Sequence, residues 1–160
     1  MNFPSLLIEL LQMTDDSLPR CDFEDKKLIL HHQMTLPGDV NAITPAVDAV
    51  MEMARQMGCA AGKEAEVELA LIEALANAVR YGCREDPTKQ VEFCLACDES
   101  RGMLIVIRDP GPGFDPASIP SPIVGQNIYS THGRGIFLIN QLMDEVRYER
   151  GGTQIYMRKG

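Results

Sequence analysis

Residues 68–81, ELALIEALANAVRY, constrain the fold of this chain more than any other stretch. Apolar side chains recur there at intervals of three and four, the spacing of one face of an α-helix, at Leu71, Leu75, Ala78 and Val79. Glu73 and Asn77 are four residues apart, so they lie one turn apart on the same side of that helix. A carboxylate accepts a proton, and an amide oxygen ligates a hard cation such as magnesium. The pair therefore predicts a base beside a metal-bound phosphate group, unless this is an ordinary amphipathic helix with two polar residues at its border.

The rest of the chain alternates between extended and helical patterns. Extended patterns bounded by Gly or Pro residues occupy residues 27–36, 90–97, 102–108 and 147–158. A second helical pattern covers residues 42–57 and stops at Gly58. Hairpin turns are predicted at DESRG and at Gly151-Gly152. Helices that alternate with hairpins predict an α/β (α+β) two-layer sandwich, with a mixed, mostly antiparallel sheet covered on one face by helices.

Chain size and charge restrict the class of protein. With 160 residues, of which 45% are hydrophobic, the chain fits one globular domain with a proper core. We expect residues 27–160 to form that domain. A formal net charge of -8 argues against nucleic-acid binding, which depends on Lys and Arg, and against binding to acidic membranes.

Residues 1–26 are expected to form an N-terminal extension. Their segment PSLLIELLQM has apolar residues near helical spacing. The apolar run is too short for a membrane span, and no basic segment or cleavage site marks it as a signal peptide. This helix is expected either to pack on the domain or to dock a partner or a second copy of the chain.

The five cysteines are odd in number and follow no disulfide-framework spacing. A reducing cytoplasm is therefore the simpler expectation. Cys94 and Cys97 form a CxxC motif inside a predicted strand, where residues three apart point to opposite faces. A metal or redox role for this motif is accordingly the weaker interpretation.

The motif Asp109-Pro110-Gly111-Pro112-Gly113 follows directly after the second central strand. Glycines allow backbone geometry that other residues cannot adopt, and they let a flat ligand approach the main chain. A carboxylate at the strand end accepts a hydrogen bond from an exocyclic amine such as that of adenine. Taken alone, the motif is also compatible with a plain turn.

Residues 116–131 are rich in Pro, Ser, Gly and Asn, and a loop of this length in a compact domain usually serves a function. Gly133, Arg134 and Gly135 then open an apolar helix that runs to about Met143. Exposed amides at a helix N-terminus bind anions, glycines leave room for a phosphate, and an Arg adds a charged contact. The alternative is a helix start with a flexible entry. Neither GxxxxGK[ST] nor GxGxxG occurs, so the two common phosphate-loop motifs are not supported.

In order and spacing, these motifs and the later Gly152-Thr153 resemble the ATPase superfamily that includes gyrase, histidine kinases and mismatch-repair ATPases, often abbreviated GHKL. The resemblance covers about residues 27–160. It is closest to the small serine kinases that act as bacterial anti-sigma factors, which EALANAVRYG, GRGIFLINQLMDEV and GTQIYMRK all resemble. It implies the Bergerat-type ATP-binding fold, with ATP and Mg²⁺ bound in the cytoplasm.

The resemblance also implies a role for each matching residue. Glu73 resembles the general base that activates the attacking hydroxyl, and Asn77 resembles the magnesium ligand. Asp109 resembles the residue that recognises adenine. The hinge under the base is matched by Gly111 and Gly113. The phosphate-binding end of the lid is matched by Gly133, Arg134 and Gly135, and the hydroxyl that supports the adenine pocket is matched by Thr153.

The implied reaction is transfer of the γ-phosphoryl group of ATP to a Ser or Thr of an antagonist protein of the STAS type, with a sigma factor or other regulator as a further partner. Tyr81 departs from the family pattern, because these kinases often have His there. One alternative is therefore a non-catalytic nucleotide-binding switch or interaction module. Another is a detached histidine-kinase ATPase domain, which needs more chain than residues 1–26 for its phosphoacceptor helices.

Overall fold

The computed structural model describes residues 28–98, 100–115 and 131–160, and these contain a five-stranded sheet. Its strands run in the order β1-β2-β3-β5-β4, and each neighbouring pair is antiparallel. The strand bounds are β1 Leu28–Pro37, β2 Gln90–Asp98, β3 Gly102–Arg108, β4 Glu145–Glu149 and β5 Gln154–Lys159. Together with the helices that cover one face of it, this sheet confirms the predicted two-layer sandwich.

Three helices in the described part of the chain pack on one face of this sheet: α1 Ile43–Met57, α2 Glu64–Asn77 and α3 Thr131–Leu142. Helix α1 ends as its sequence predicted, because Gly58 adopts the left-handed conformation (φ 71°) that glycine tolerates without strain. Helix α2 begins at Glu64, directly after Gly62 and Lys63 and four residues before the patterned stretch 68–81. Glu64 and Glu66 lie in its first turn, where acidic side chains favour the positive end of the helix dipole.

The end of α2 widens into a π-helical turn, Ala78–Gly82. In this turn the N–H of Cys83 donates to the carbonyl of Ala78, five residues earlier, over 2.9 Å. A π-turn accommodates one residue more than an α-turn and is common at functional sites. The regular α-helix therefore ends at Asn77, immediately after the polar pair that the sequence singles out.

Alternation along the central strands divides their side chains between two faces. In β2, Phe93 and Leu95 belong to the main core under the helices, whereas Cys94 and Ala96 belong to a smaller cluster on the other face. Successive residues of a strand point to opposite faces, so each of these buried strands contributes to both clusters. The helices and the inner face of the sheet form one core, and the candidate site lies along its edge.

Of the two expectations about the cysteines, the one about sheet faces is confirmed and the one about disulfides is wrong. Cys94 and Cys97 lie in different clusters on opposite faces of the sheet, as predicted. The expectation of a chain without a disulfide framework is wrong, because Cys59 and Cys97 are joined by a disulfide with a Cα–Cα distance of 6.0 Å. Cys59 follows the end of α1 and is 38 residues from Cys97, a separation that has no recognisable sequence signature.

The predicted helix within residues 1–26 lies outside the described residues, as does the predicted loop of residues 116–131 except for Thr131, which begins α3. Among the helices that the structure does describe, each is too short or too polar to cross a bilayer.

Candidate functional site

A cleft opens between α2 with its wide turn, the segment after β3, helix α3 and the turn that joins β4 to β5. Its apolar walls are formed mainly by branched side chains and one aromatic ring, at Ile107, Phe114, Ile136, Ile139 and Ile155. Its polar lining consists of Asn77, Tyr81, Asp109, Tyr148 and Thr153. A concave, mostly apolar pocket with a few polar groups is the usual form of a small-molecule site.

Glu73 and Asn77 face helix α3 at Gly135. A Cβ atom placed on Gly135 would lie 3.0 Å from Oε2 of Glu73 and 3.3 and 3.4 Å from Nδ2 and Oδ1 of Asn77. Any larger residue would therefore crowd both polar groups. Both side chains are half-buried; Asn77 lines the cleft, and Glu73 lies one helical turn away from it, outside the cleft lining. The helical spacing predicted from the sequence does bring them to the same side of α2.

Asp109 is held in a fixed orientation at the end of β3. The N–H of Gly111 donates to its Oδ1 over 2.8 Å, and its own N–H donates to the carbonyl of Thr153 over 2.9 Å. Gly82 packs directly against the carboxyl group, since a Cβ there would lie 2.5 Å from Oδ1. Burial raises the pKa of Asp109 above its ordinary value, and the Gly111 hydrogen bond offsets part of that rise.

Gly111 and Gly113 are required by close contacts between chain segments. Gly111 packs against the backbone of Gly82. Gly113 has a φ of 75°, and a Cβ there would collide with the carbonyl of Gly151. The N–H of Phe114 donates to that same carbonyl over 2.9 Å. The Asp109–Phe114 segment is thus hydrogen-bonded to and packed against the β4–β5 turn. This contact holds together two of the segments that border the cleft.

Thr153 lies beside this contact and lines the cleft. Its hydroxyl donates to the carbonyl of Arg150 over 2.8 Å. Because the single O–H proton is used in that bond, the oxygen of Thr153 can only accept a hydrogen bond from a ligand or water.

The predicted phosphate-binding segment differs in detail from the expectation. Helix α3 begins at Thr131, so Gly133 and Gly135 lie inside its first two turns and do not open it. Gly133 still falls in the first turn, where backbone N–H groups have no partner within the helix. Gly135 instead provides the close approach to α2 described above. The position of the Arg134 side chain lies outside what the structure describes.

A family model described as the histidine kinase-like ATPase domain matches residues 36–159 of this chain. The chain belongs to the histidine kinase-like ATPase family. Among its relatives is a protein named serine-protein kinase RsbW from Bacillus subtilis (strain 168), 30% identical over 116 residues, which are 67% of this chain and 71% of the relative. A protein of the same name from Bacillus licheniformis is 32% identical over 117 residues, with the same two coverages.

Two aromatic residues of this histidine kinase-like ATPase domain were missed by sequence reasoning. Phe114 and Tyr148 make an edge-to-face pair, with ring centroids 5.3 Å apart and an interplanar angle of 68°. Phe114 directly follows the glycine motif in the sequence, and Tyr148 lies in a five-residue strand with no clear pattern of burial. Both line the cleft. An aromatic residue beside a glycine motif is a weak sequence signal for a binding site, and the sequence of β4 carries no such signal.

Proposed function

We propose that this protein is an ATP-dependent serine/threonine kinase of the anti-sigma-factor type, which phosphorylates an antagonist protein in a partner-switching system. The observation that carries the proposal is the arrangement of Glu73 and Asn77 against Gly135, in continuity with a cleft that contains Asp109. Membership of the ATPase family and the similarity to two proteins named serine-protein kinases support it.

The polar pair suits phosphoryl transfer. In the proposed reaction, the hydroxyl oxygen of a Ser or Thr in the partner attacks the γ-phosphorus of ATP, the bond to the β-phosphate oxygen breaks, and ADP leaves. Glu73 takes the hydroxyl proton, which is the task of a carboxylate within hydrogen-bond reach of the nucleophile. Asn77 offers one amide oxygen to Mg²⁺, an ion that is commonly held by one or two protein ligands and the phosphates. Bound Mg²⁺ neutralises charge on the phosphate oxygens.

Recognition of the base is assigned to Asp109. Its Oδ1 already accepts the N–H of Gly111, which leaves Oδ2 to accept the exocyclic amine of adenine. Thr153, as an acceptor beside it, suits a bridging water or the same amine. Gly111 and Gly113 are assigned to the hinge under the base. The α3 segment Gly133–Gly135, which includes Arg134, is assigned to the phosphates.

The partners follow from the same family resemblance. We propose an antagonist of the STAS type as phosphoacceptor and a sigma factor or similar regulator as a second partner, in the cytoplasm. Residues 27–160 form the ATPase domain and residues 1–26 an extension in this proposal, and a homodimer is the proposed assembly.

The first test is thermal unfolding with Mg-ATP, with Mg-ADP, with ATP plus a chelator, and without ligand. A ligand at a hundred times its Kd that binds only the folded state stabilises it by about 2.7 kcal/mol. For a chain of this size, that corresponds to a rise of about 5 to 10 °C in the unfolding temperature. No rise with any nucleotide at millimolar concentration would remove the nucleotide site and the kinase with it.

The second test is transfer of labelled phosphate from ATP to a purified antagonist encoded beside the gene for this chain. Label on a Ser or Thr of that antagonist supports the kinase. Tyr81, which lines the cleft at a position where related kinases often have His, favours the alternative of a nucleotide-binding switch without transfer. Magnesium-dependent ATP binding without any transfer to the antagonist would establish that alternative.

A further inference from the structure

The hydroxyl group of Tyr148 is a buried polar atom that the proposed reaction does not use. It exposes less than 1 Å² and has no hydrogen-bond partner within residues 28–98, 100–115 and 131–160. Its ring lies against Phe114 and lines the same cleft as Asp109. Buried hydroxyl groups are nearly always hydrogen-bonded, and an unpaired one is a reason to look for a missing ligand.

Strand register places the Tyr148 side chain on the cleft side of the sheet. Tyr148 pairs with Ile155, and Ile155 pairs in turn with Ile107 on β3. Ile107 and Ile155 line the cleft, and Tyr148 continues their row across β4. Asp109 directly follows β3, and Tyr148 lies on β4. These two strands are separated by β5, so their axes are about 10 Å apart.

The chemistry of the two groups is complementary. Asp109 is an acceptor for an amine, whereas the phenol O–H of Tyr148 is a donor. Burial raises the pKa of Tyr148 to about 12, so the group keeps its proton at neutral pH. A purine base has an exocyclic amine that donates and ring nitrogens that accept. A flat base between Asp109 and Tyr148 would therefore meet a matching partner on each side.

We propose that the Tyr148 hydroxyl donates a hydrogen bond to a ring nitrogen of the bound nucleotide base, which makes Tyr148 a specificity-determining residue of the site. The proposal rests on the proposed nucleotide-binding function and adds a residue to it. In the free protein the hydroxyl is closed to water and has no partner among the described residues, so the Tyr148 side chain has to shift toward the cleft for the bound base to supply that partner.

Replacing Tyr148 by phenylalanine removes only the oxygen and keeps the ring that contacts Phe114. We expect Tyr148→Phe to bind ADP and ATP about 5- to 10-fold more weakly than the natural protein, as measured by calorimetry. Without ligand, the variant should unfold at the same temperature or about 2 to 4 °C higher, because an unpaired buried polar atom has been removed. A merely structural hydroxyl would give the opposite change in stability.

Tyr156→Phe is the matched control. Tyr156 lies on β5, packs against the cluster on the other face of the sheet and lies beneath the guanidinium of Arg147 at 3.9 Å. The same loss of one phenol oxygen there should leave nucleotide affinity unchanged. Inorganic tripolyphosphate, which has no base, should bind the natural protein and Tyr148→Phe equally.

Three adenine nucleotide analogues, with carbon in place of N1, N3 or N7, locate the contact. With the analogue that lacks the accepting nitrogen, the natural protein and Tyr148→Phe should bind with equal affinity. A penalty of full size with all three analogues would overturn the contact with a ring nitrogen.

Two further results would overturn the proposal while leaving the nucleotide site intact. One is equal affinity of the natural protein and Tyr148→Phe for ADP. The other is a lower unfolding temperature of free Tyr148→Phe, which would show that the hydroxyl is already paired inside the protein. If the natural protein binds no adenine nucleotide at all, the proposed function fails, and this contact fails with it.

Discussion

Replacing Gly135 by alanine should separate the stability of the fold from the chemistry of the cleft. Gly135 lies inside α3, where alanine is favoured over glycine by about 1 kcal/mol because glycine loses more backbone entropy on folding. The added methyl group would lie 3.0 Å from Oε2 of Glu73 and 3.3 Å from Nδ2 of Asn77. Both atoms are ends of side chains that can turn away. We therefore expect Gly135→Ala to unfold at the same temperature as the natural protein or up to about 4 °C higher.

The cost of this methyl group should appear in ligand binding. Ordinary contact distances are restored only if the carboxylate of Glu73 and the amide of Asn77 each move by a few tenths of an ångström. Disturbing the group that orients a metal ligand typically weakens metal binding by about 10- to 100-fold. We expect Mg-ATP to bind Gly135→Ala at least about tenfold more weakly, and the loss should be smaller for ATP with a chelator, which does not use the metal contact at Asn77. Phosphoryl transfer should slow by about tenfold or more, because small misplacements of reacting groups are costly.

Calorimetric titration with Mg-ATP and with ATP plus a chelator, together with thermal unfolding, measures both effects. Gln141→Ala is the control, because it changes an exposed residue of the same helix without approaching the cleft. Unchanged Mg-ATP binding in a stably folded Gly135→Ala would refute the reasoning, since it would separate the metal site from the contact between α2 and α3.

Three other predictions concern groups described above. Glu73→Ala should bind Mg-ATP normally but transfer phosphate about 10²- to 10⁴-fold more slowly, while Glu68→Ala on the same helix should be unaffected; an unchanged rate would remove Glu73 from its role. Because the pKa of Asp109 is raised in the folded state, stability falls as pH rises from about 4, the unfolded value, through the raised value. Free Asp109→Asn should therefore be more stable than the natural protein at pH 7, lose that advantage below about pH 4, and bind ATP and ADP more weakly; equal binding by both proteins would contradict its assignment. Reduction of the Cys59–Cys97 disulfide should lower stability by about 3 to 4 kcal/mol in the chain-entropy model, given a separation of 38 residues. Cys59→Ala should therefore lose less stability on reduction than the natural protein, and an equal loss in both would contradict this contribution.

The parts of this molecule that were predictable from the sequence depend on local spacing. Alternation in β2 and β3, the stop of α1 at Gly58 and the placement of Glu73 and Asn77 on one side of α2 all follow from the geometry of a single element. The order of the motifs added the resemblance to the ATPase superfamily, and the family model that matches residues 36–159 confirms the family.

The parts that were missed depend on pairs of residues that are far apart in the chain. The Cys59–Cys97 disulfide joins a loop to a strand, and the sequence around neither cysteine indicates its partner. A side chain at position 113 is excluded by the carbonyl of Gly151, which belongs to a different turn. Tyr148 enters the cleft because β4 pairs with β5, and five residues are too few for a readable pattern. Such contacts come from packing, and local spacing cannot show them.

The wide turn at Ala78–Gly82 has a consequence for how this protein varies during evolution and design. A π-turn is equivalent to one residue inserted into an α-helix. Since the turn begins directly after Asn77, the loss or gain of one residue there would leave the helix that carries the polar pair in register. We expect aligned relatives to tolerate a one-residue gap after Asn77 and none between Glu73 and Asn77. The π-turn beside the cleft can therefore absorb an insertion or deletion of one residue.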